Sequence, residues 1–132
     1  MNQHYTSIAK RASHRCEYCQ APEAIFNFPF EVEHILPKSS GGVDEEENLA
    51  LACRACNIYK SNWLTAIDPM TEIEVPLFNP RRDVWQDHYR LDYETGSIRG
   101  ITPIGRASVE RLRMNGSVQL AARMSWIDLG LL

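Results

Sequence analysis

The pattern of apolar and polar residues in the first half of the chain predicts two short strands followed by a helix. Residues 30–36, FEVEHIL, alternate as a strand with one buried face does. A polar stretch follows, and then residues 48–52, NLALA, form a second short apolar run. The next segment changes to helical character. Its apolar positions at i, i+3 and i+7 are Cys56, Tyr59 and Trp63.

Shorter patterns on both sides predict further elements of an α+β fold. Expected helices cover residues 3–13, 102–114 and 118–129, and Thr102-Pro103 is a favourable helix start. Expected strands cover residues 74–78, 88–93 and 97–101, the last two as a hairpin. A chain of 132 residues fits one domain. Within residues 1–132 we expect a motif core at about 16–62 and a C-terminal extension at about 68–132.

Composition and charge narrow the class of protein. No apolar run approaches the ~20 residues that cross a bilayer, and the N-terminus lacks the apolar stretch of a signal peptide, so we expect a cytoplasmic protein. The formal net charge of −3 weighs weakly against a nucleic-acid partner. The charge is uneven, however. Residues 97–125 hold five arginines against one glutamate, which leaves a local basic face as an alternative.

All four cysteines fall in two CxxC pairs, Cys16–Cys19 and Cys53–Cys56. In a cytoplasmic protein such pairs are more typical of metal ligands than of disulfides. Four thiolates match a tetrahedral zinc site with no open position for water, which indicates a structural role. The zinc would clasp the base of the strand–loop–strand unit. The alternatives are four unrelated buried thiols and a redox CxxC pair.

Polar side chains suited to metal binding and proton transfer lie inside or beside the cysteine pattern. His34 can take a proton from water near neutral pH. Glu33 and Asn57 offer oxygen ligands suited to Mg²⁺ or Mn²⁺, and Mg²⁺ usually keeps waters and phosphate oxygens as well. Lys60 shares a helix face with Asn57 and could hold a phosphate as a point charge. Two further candidates for phosphate contacts are Lys38 and Arg54.

The segments EHILPKSSGG, NLALAC and CNIYK resemble the HNH endonucleases, which are ββα-metal nucleases. The resemblance covers about residues 16–62 and implies a ββα-metal core clasped by a four-cysteine zinc site. It implies that His34 is the general base and that Asn48 ties the loop to the strands and orients the site. It also implies that Glu33 and Asn57 bind one catalytic divalent metal. Asparagine at position 57 favours a hard ion such as Mg²⁺ over Zn²⁺.

The resemblance further implies hydrolysis of phosphodiester bonds in DNA, with double-stranded DNA as the expected partner. His34 would deprotonate a water that attacks the phosphorus in line, while the metal stabilises the charge that develops. A zinc-stabilised module that binds DNA or protein without catalysis is the alternative, and an RNA-directed nuclease is a third possibility. We interpret the acidic run at residues 44–47 as a solvated loop. The histidines to which we assign no role are His4, His14 and His88.

Overall fold

The computed structural model describes residues 1–132 and combines short helices with three antiparallel strand pairs, an α+β fold. The helices are α1 (Tyr5–Arg11), α2 (Arg54–Lys60), α3 (Trp85–His88), α4 (Pro103–Arg111) and α5 (Ser117–Asp128). The strands are β1 (Glu31–His34), β2 (Leu49–Ala52), β3 (Thr65–Ile67), β4 (Glu74–Pro76), β5 (Tyr89–Leu91) and β6 (Ile98–Gly100). None of the helices has both the length and the apolar character needed to cross a membrane.

Strands β1 and β2 and helix α2 form the strand, loop, strand, helix unit that the sequence predicted. The two strands pair antiparallel with His34 opposite Leu49, and every residue of β2 is buried. Helix α2 begins directly after Cys53 and ends at Lys60, earlier than expected. Ser61 has a φ of +48°, outside the helical region, so the chain turns away there. The prediction that the helical face extends to Trp63 is therefore wrong, and the side chain of Trp63 is half exposed.

The C-terminal part carries the other two strand pairs. The hairpin of β5 and β6 matches the predicted one, and β4 lies within the predicted strand at 74–78. Strand β3, which pairs with β4, was not predicted, because its buried position is the small Ala66 while the larger apolar Ile67 is exposed, so its apolar pattern does not mark a buried face. Helix α3 was also missed. It occupies the position where the expected hairpin begins, so β5 starts only at Tyr89.

One apolar core joins the motif unit to the C-terminal part. Its 19 buried residues run from Ile8 in α1 to Met114 after α4 and include all four cysteines. A hydrogen bond also crosses between the two parts, since the indole nitrogen of Trp85 donates to the carbonyl oxygen of Tyr18 at 2.9 Å. The residues after position 68 therefore pack against the motif unit and share its core.

Most of the arginines in residues 97–125 are engaged in contacts within the fold. Arg123 is buried and donates to two backbone carbonyl oxygens at 2.7 and 2.8 Å. Arg106 makes two bonds of 2.9 Å to the buried carboxylate of Asp68, and these bonds lower the pKa of that carboxyl. Arg111 and Arg113 lie over aromatic rings, 4.1 and 4.7 Å from the ring centroids. Four of the five arginines are thus engaged within the fold, and Arg99 is exposed.

Helix α4 passes close to the last residue of α3 at Gly105, and this close approach allows a stability prediction. A Cβ added at Gly105 would lie 2.1 Å from the carbonyl oxygen of His88, and a backbone atom cannot rotate away. Overpacking of this kind typically costs about 1–3 kcal/mol. We expect Gly105→Ala to lower the free energy of unfolding measured in urea by an amount in this range.

The matched control is Gly116→Ala. A Cβ there would meet the side-chain oxygen of Gln119 at 2.4 Å, and a flexible side chain can move aside. We expect the control to lose less stability than Gly105→Ala. Equal losses in the two variants would contradict the close approach at Gly105.

Candidate active site

The two CxxC pairs meet in the core. Their four sulfur atoms lie within 4.8 Å of one another, and all four cysteines are buried and free of disulfides. The sulfurs of Cys19 and Cys53 are 3.7 Å apart, close to the ~3.8 Å edge of a tetrahedron built with zinc–sulfur bonds of about 2.3 Å. Contacts among the thiols lower the pKa of Cys53 and raise the pKa of Cys19 and Cys56. This cluster fits a zinc ion and could form a zinc site.

The first cysteine pair is also bonded to strand β2. The backbone N–H of Glu17 donates to the carbonyl oxygen of Leu51 at 2.8 Å. The carboxylate of Glu17 accepts the N–H of Leu51, also at 2.8 Å. The knuckle at 16–19 is thus held by β2 on one side, and by the sulfur cluster against the start of α2 on the other.

Asn48 ties the β1–β2 loop to the end of β1. Its Oδ1 accepts the N–H of Leu36 at 2.9 Å, and its Nδ2 donates to the carbonyl oxygens of Leu36 and Val43 at 3.0 and 2.8 Å. Gly42 is needed in the same loop, because a Cβ at that position would lie 1.7 Å from the carbonyl oxygen of Leu36. These contacts are the ones expected of a residue that orients the loop. A part for Asn48 in catalysis stays a prediction.

His34 ends strand β1 and reaches the acidic loop. Its Nε2 lies 3.0 Å from Oδ1 of Asp44, its Nδ1 makes no hydrogen bond to the protein, and its side chain is 20% exposed. The hydrogen bond with His34 lowers the pKa of the Asp44 carboxyl. Our interpretation of residues 44–47 as a solvated loop therefore missed this partner. The acidic run was visible in the sequence, but not the fold-back that brings Asp44 to His34.

Glu33 occupies a buried pair. Its carboxylate accepts from Nζ of Lys60 at 2.6 Å and from the hydroxyl of Tyr18 at 2.9 Å. Burial raises the pKa of Glu33, while Lys60 and Tyr18 oppose the rise. The sequence predicted an open ligand position, whereas here the charge of Lys60 already neutralises the carboxylate. A ligand role for Glu33 stays a prediction.

Asn57 contacts Glu31, which shares a strand face with Glu33. Its Nδ2 donates to Oε2 of Glu31 at 2.5 Å, which leaves its Oδ1 without a protein partner. Arg54 donates to the other oxygen of Glu31 at 2.6 Å. Glu31 was not among the site residues predicted from the sequence. The period of two in EVEH was the available signal, because it places residues 31 and 33 on one face.

The three candidates for phosphate contacts differ in their surroundings. Lys60 is buried, and its Nζ also donates to the carbonyl oxygen of Ile35 at 3.1 Å, so a phosphate contact would require the pair with Glu33 to open. Arg54 is paired, but its side chain is 66% exposed. Lys38 lies in an exposed helical turn and its charge contributes to lowering the pKa of Asp44.

Comparison with known proteins supports the resemblance read from the motifs. The HNH endonuclease family model matches residues 16–62, about a third of the chain. A search of curated proteins and one of solved structures each find no match. The matched segment runs from the first cysteine pair to just past α2. The resemblance to HNH endonucleases is therefore confirmed for this segment.

The buried pair generates a prediction with a pH dependence. Lys60→Met leaves the Glu33 carboxylate buried without its partner, which typically costs about 3–5 kcal/mol. Burial already raises the pKa of Glu33, and loss of Lys60 raises it further. A carboxyl with a raised folded-state pKa loses stability as pH rises through that value. We therefore expect urea unfolding to show a larger deficit at about pH 8 than at about pH 5.

The control is the double variant Lys60→Met with Glu33→Gln. The amide is neutral at both pH values, so the pH dependence of the deficit should vanish and much of the stability should return. A double variant as unstable and as pH-dependent as Lys60→Met would contradict the pairing.

Proposed function

We propose that the chain is a metal-dependent DNA endonuclease whose reaction centre lies around the end of β1 and the facing side of α2. The observation that carries this proposal is the HNH match over residues 16–62. The hydrogen-bonding pattern of the His34 ring supports it. This histidine stands at the motif position of the general base. One of its ring nitrogens contacts a carboxylate and the other has no protein partner.

In this proposal His34 takes the proton of the attacking water. Its partial exposure gives water access to the ring. General-base assistance of this kind is typically worth ~10²–10⁴-fold in rate. Asn48 serves the reaction indirectly, because its three hydrogen bonds hold the loop that faces the ring.

We propose Glu33 and Asn57 as the residues that hold the catalytic cation, Mg²⁺ or Mn²⁺. The amide oxygen of Asn57 has no protein partner, which suits a ligand. Glu33 can join it if the contact with Lys60 is shared or released, and Glu31 is a second carboxylate beside the same amide. When bound, such a cation supplies Lewis-acid stabilisation of the charge on the phosphate and the leaving 3′ oxygen.

We propose that the four-cysteine cluster holds a structural Zn²⁺. Four thiolates complete a tetrahedral site and leave no position for a reacting water. The support is the convergence of the four sulfurs within 4.8 Å. The ion would join the knuckle at 16–19 to the start of α2 and so fix Asn57 relative to β1.

A module that binds DNA or protein without cutting is the second candidate. The specific observation in its favour is the closed pair of Glu33 and Lys60, which is complete without a metal. The presence of His34 together with an amide oxygen free for a cation favours the nuclease. A cleavage assay separates the two.

We expect the protein to nick supercoiled plasmid DNA with Mg²⁺ or Mn²⁺ and to stop when EDTA is added. His34→Ala should lower the rate by ~10²-fold or more, since the general base is lost, with folding and zinc content unchanged. The matched control is His14→Ala, which changes a histidine whose side chain is 60% exposed and paired with Glu23. Full activity in His34→Ala would contradict the assignment.

We expect metal analysis of the purified protein to find about one zinc per chain, as one tetrahedral four-thiolate site requires. Cys53→Ser should lose the zinc and unfold, because folding and metal binding are coupled at such sites. Circular dichroism measures the unfolding. Folded protein that contains no zinc would rule out the structural ion.

A further inference from the structure

We infer that Asp44 is a positioning residue that fixes the tautomer of His34, and that helix α1 holds Asp44 in place. The inference rests on the proposed function, because it concerns the same site. It adds to that site residues that lie before the segment matched by the HNH family model, which begins at Cys16.

The contact between Asp44 and His34 determines which ring nitrogen of His34 carries the proton. A neutral imidazole carries one N–H and one lone pair. A carboxylate 3.0 Å from Nε2 accepts the N–H there, so the lone pair stays on Nδ1. The proton of the attacking water then moves to Nδ1, and the water oxygen bonds to phosphorus. The bond to the 3′ oxygen breaks with its electron pair on that oxygen, and Asp44 stabilises the imidazolium.

A second histidine, His4, lies on the other side of the same carboxylate. Nε2 of His4 lies 3.6 Å from Oδ2 of Asp44, while His34 uses Oδ1. That nitrogen of His4 is buried and has no hydrogen-bond partner. Two imidazoles thus flank one carboxylate, one at each oxygen. No role was predicted for His4 from the sequence, since nothing in the motif connects it to the site.

Helix α1 is attached to the loop by hydrogen bonds. His4, at the N-cap of α1, and Ser7 and Arg11 within it follow the i, i+3, i+7 spacing of one helix face. Ser7 donates to the carboxylate of Glu46. Arg11 donates to the carbonyl oxygen of Glu46 at 2.8 Å and to that of Leu49 at 2.5 Å. The loop from Asp44 to the start of β2 is therefore bonded along this face.

The four acidic residues of the loop are not equivalent. Asp44 contacts the two histidines and Glu46 contacts α1, whereas the side chains of Glu45 and Glu47 make no hydrogen bond or ion pair to the histidines or to α1. A solvated acidic run would make the four interchangeable. The difference supplies a matched control, because Glu45 carries the same charge in the same loop without touching His34.

The test compares Asp44→Asn with Glu45→Gln in the full chain loaded with zinc. Both remove one negative charge from the loop, so they share any general effect on DNA attraction. The ¹⁵N NMR shifts of the His34 ring should report N–H at Nε2 in the parent protein and in Glu45→Gln. In Asp44→Asn the amide can donate to Nε2, so proton density should appear at Nδ1.

Plasmid cleavage supplies the second readout. We expect kcat of Asp44→Asn to fall about 10–100-fold, the range found for residues that orient metal-ligating histidines, with KM changed no more than in Glu45→Gln. His4→Ala should show a smaller loss of kcat and a smaller shift of the tautomer, in the same directions.

Three results would overturn the inference. The first is a His34 ring with its N–H at Nδ1 in the parent protein, and the second is an unchanged tautomer and an unchanged kcat in Asp44→Asn. The third is a His4→Ala variant with the tautomer and kcat of the parent, which would overturn the role assigned to α1. The parent spectrum needs no variant to fold. If the parent protein cuts no DNA, the proposed function fails on its own, and the NMR arm still decides whether Asp44 fixes His34.

Discussion

The convergence of four cysteine sulfurs is the constraint on which the rest of this site depends. Cys53 immediately precedes α2, so the cluster sets where the helix begins and joins it to the knuckle at 16–19. One turn further on, Asn57 and Lys60 face β1 and meet Glu31 and Glu33. A short helix of this kind is marginal by itself. Its position therefore depends on the cluster and on burial against the strands.

Strand β1 uses its two faces for different work. The face toward α2 carries two carboxylates, one buried against Lys60 and Tyr18 and the other bonded to the amide of Asn57. His34 follows directly in the chain and contacts the loop instead. Adjacent acid and histidine residues can therefore differ completely in burial and partners, because alternation in a strand sends them to opposite sides.

The sequence predicted the ββα unit from strand period and the cysteine cluster from CxxC spacing, and the resemblance implied that Asn48 ties the loop to the strands. It could not predict the partners of the charged groups. The pairs of His34 with Asp44, of Asn57 with Glu31 and of Glu33 with Lys60 join positions that are distant in the chain. Such pairs depend on how the loop folds back and on which face each strand residue takes. The early end of α2 depends on the backbone at Ser61, which apolar periodicity does not encode.

We propose that this site activates a water for attack on a DNA phosphodiester. Cleavage of a defined DNA duplex in H₂¹⁸O under single-turnover conditions, with mass spectrometry of the products, tests it most directly. Attack of the activated water predicts one ¹⁸O atom in the 5′-phosphate of the product and a 3′-hydroxyl on the other end. Cleavage that leaves the 5′-phosphate without ¹⁸O, or no cleavage with either Mg²⁺ or Mn²⁺, would contradict it.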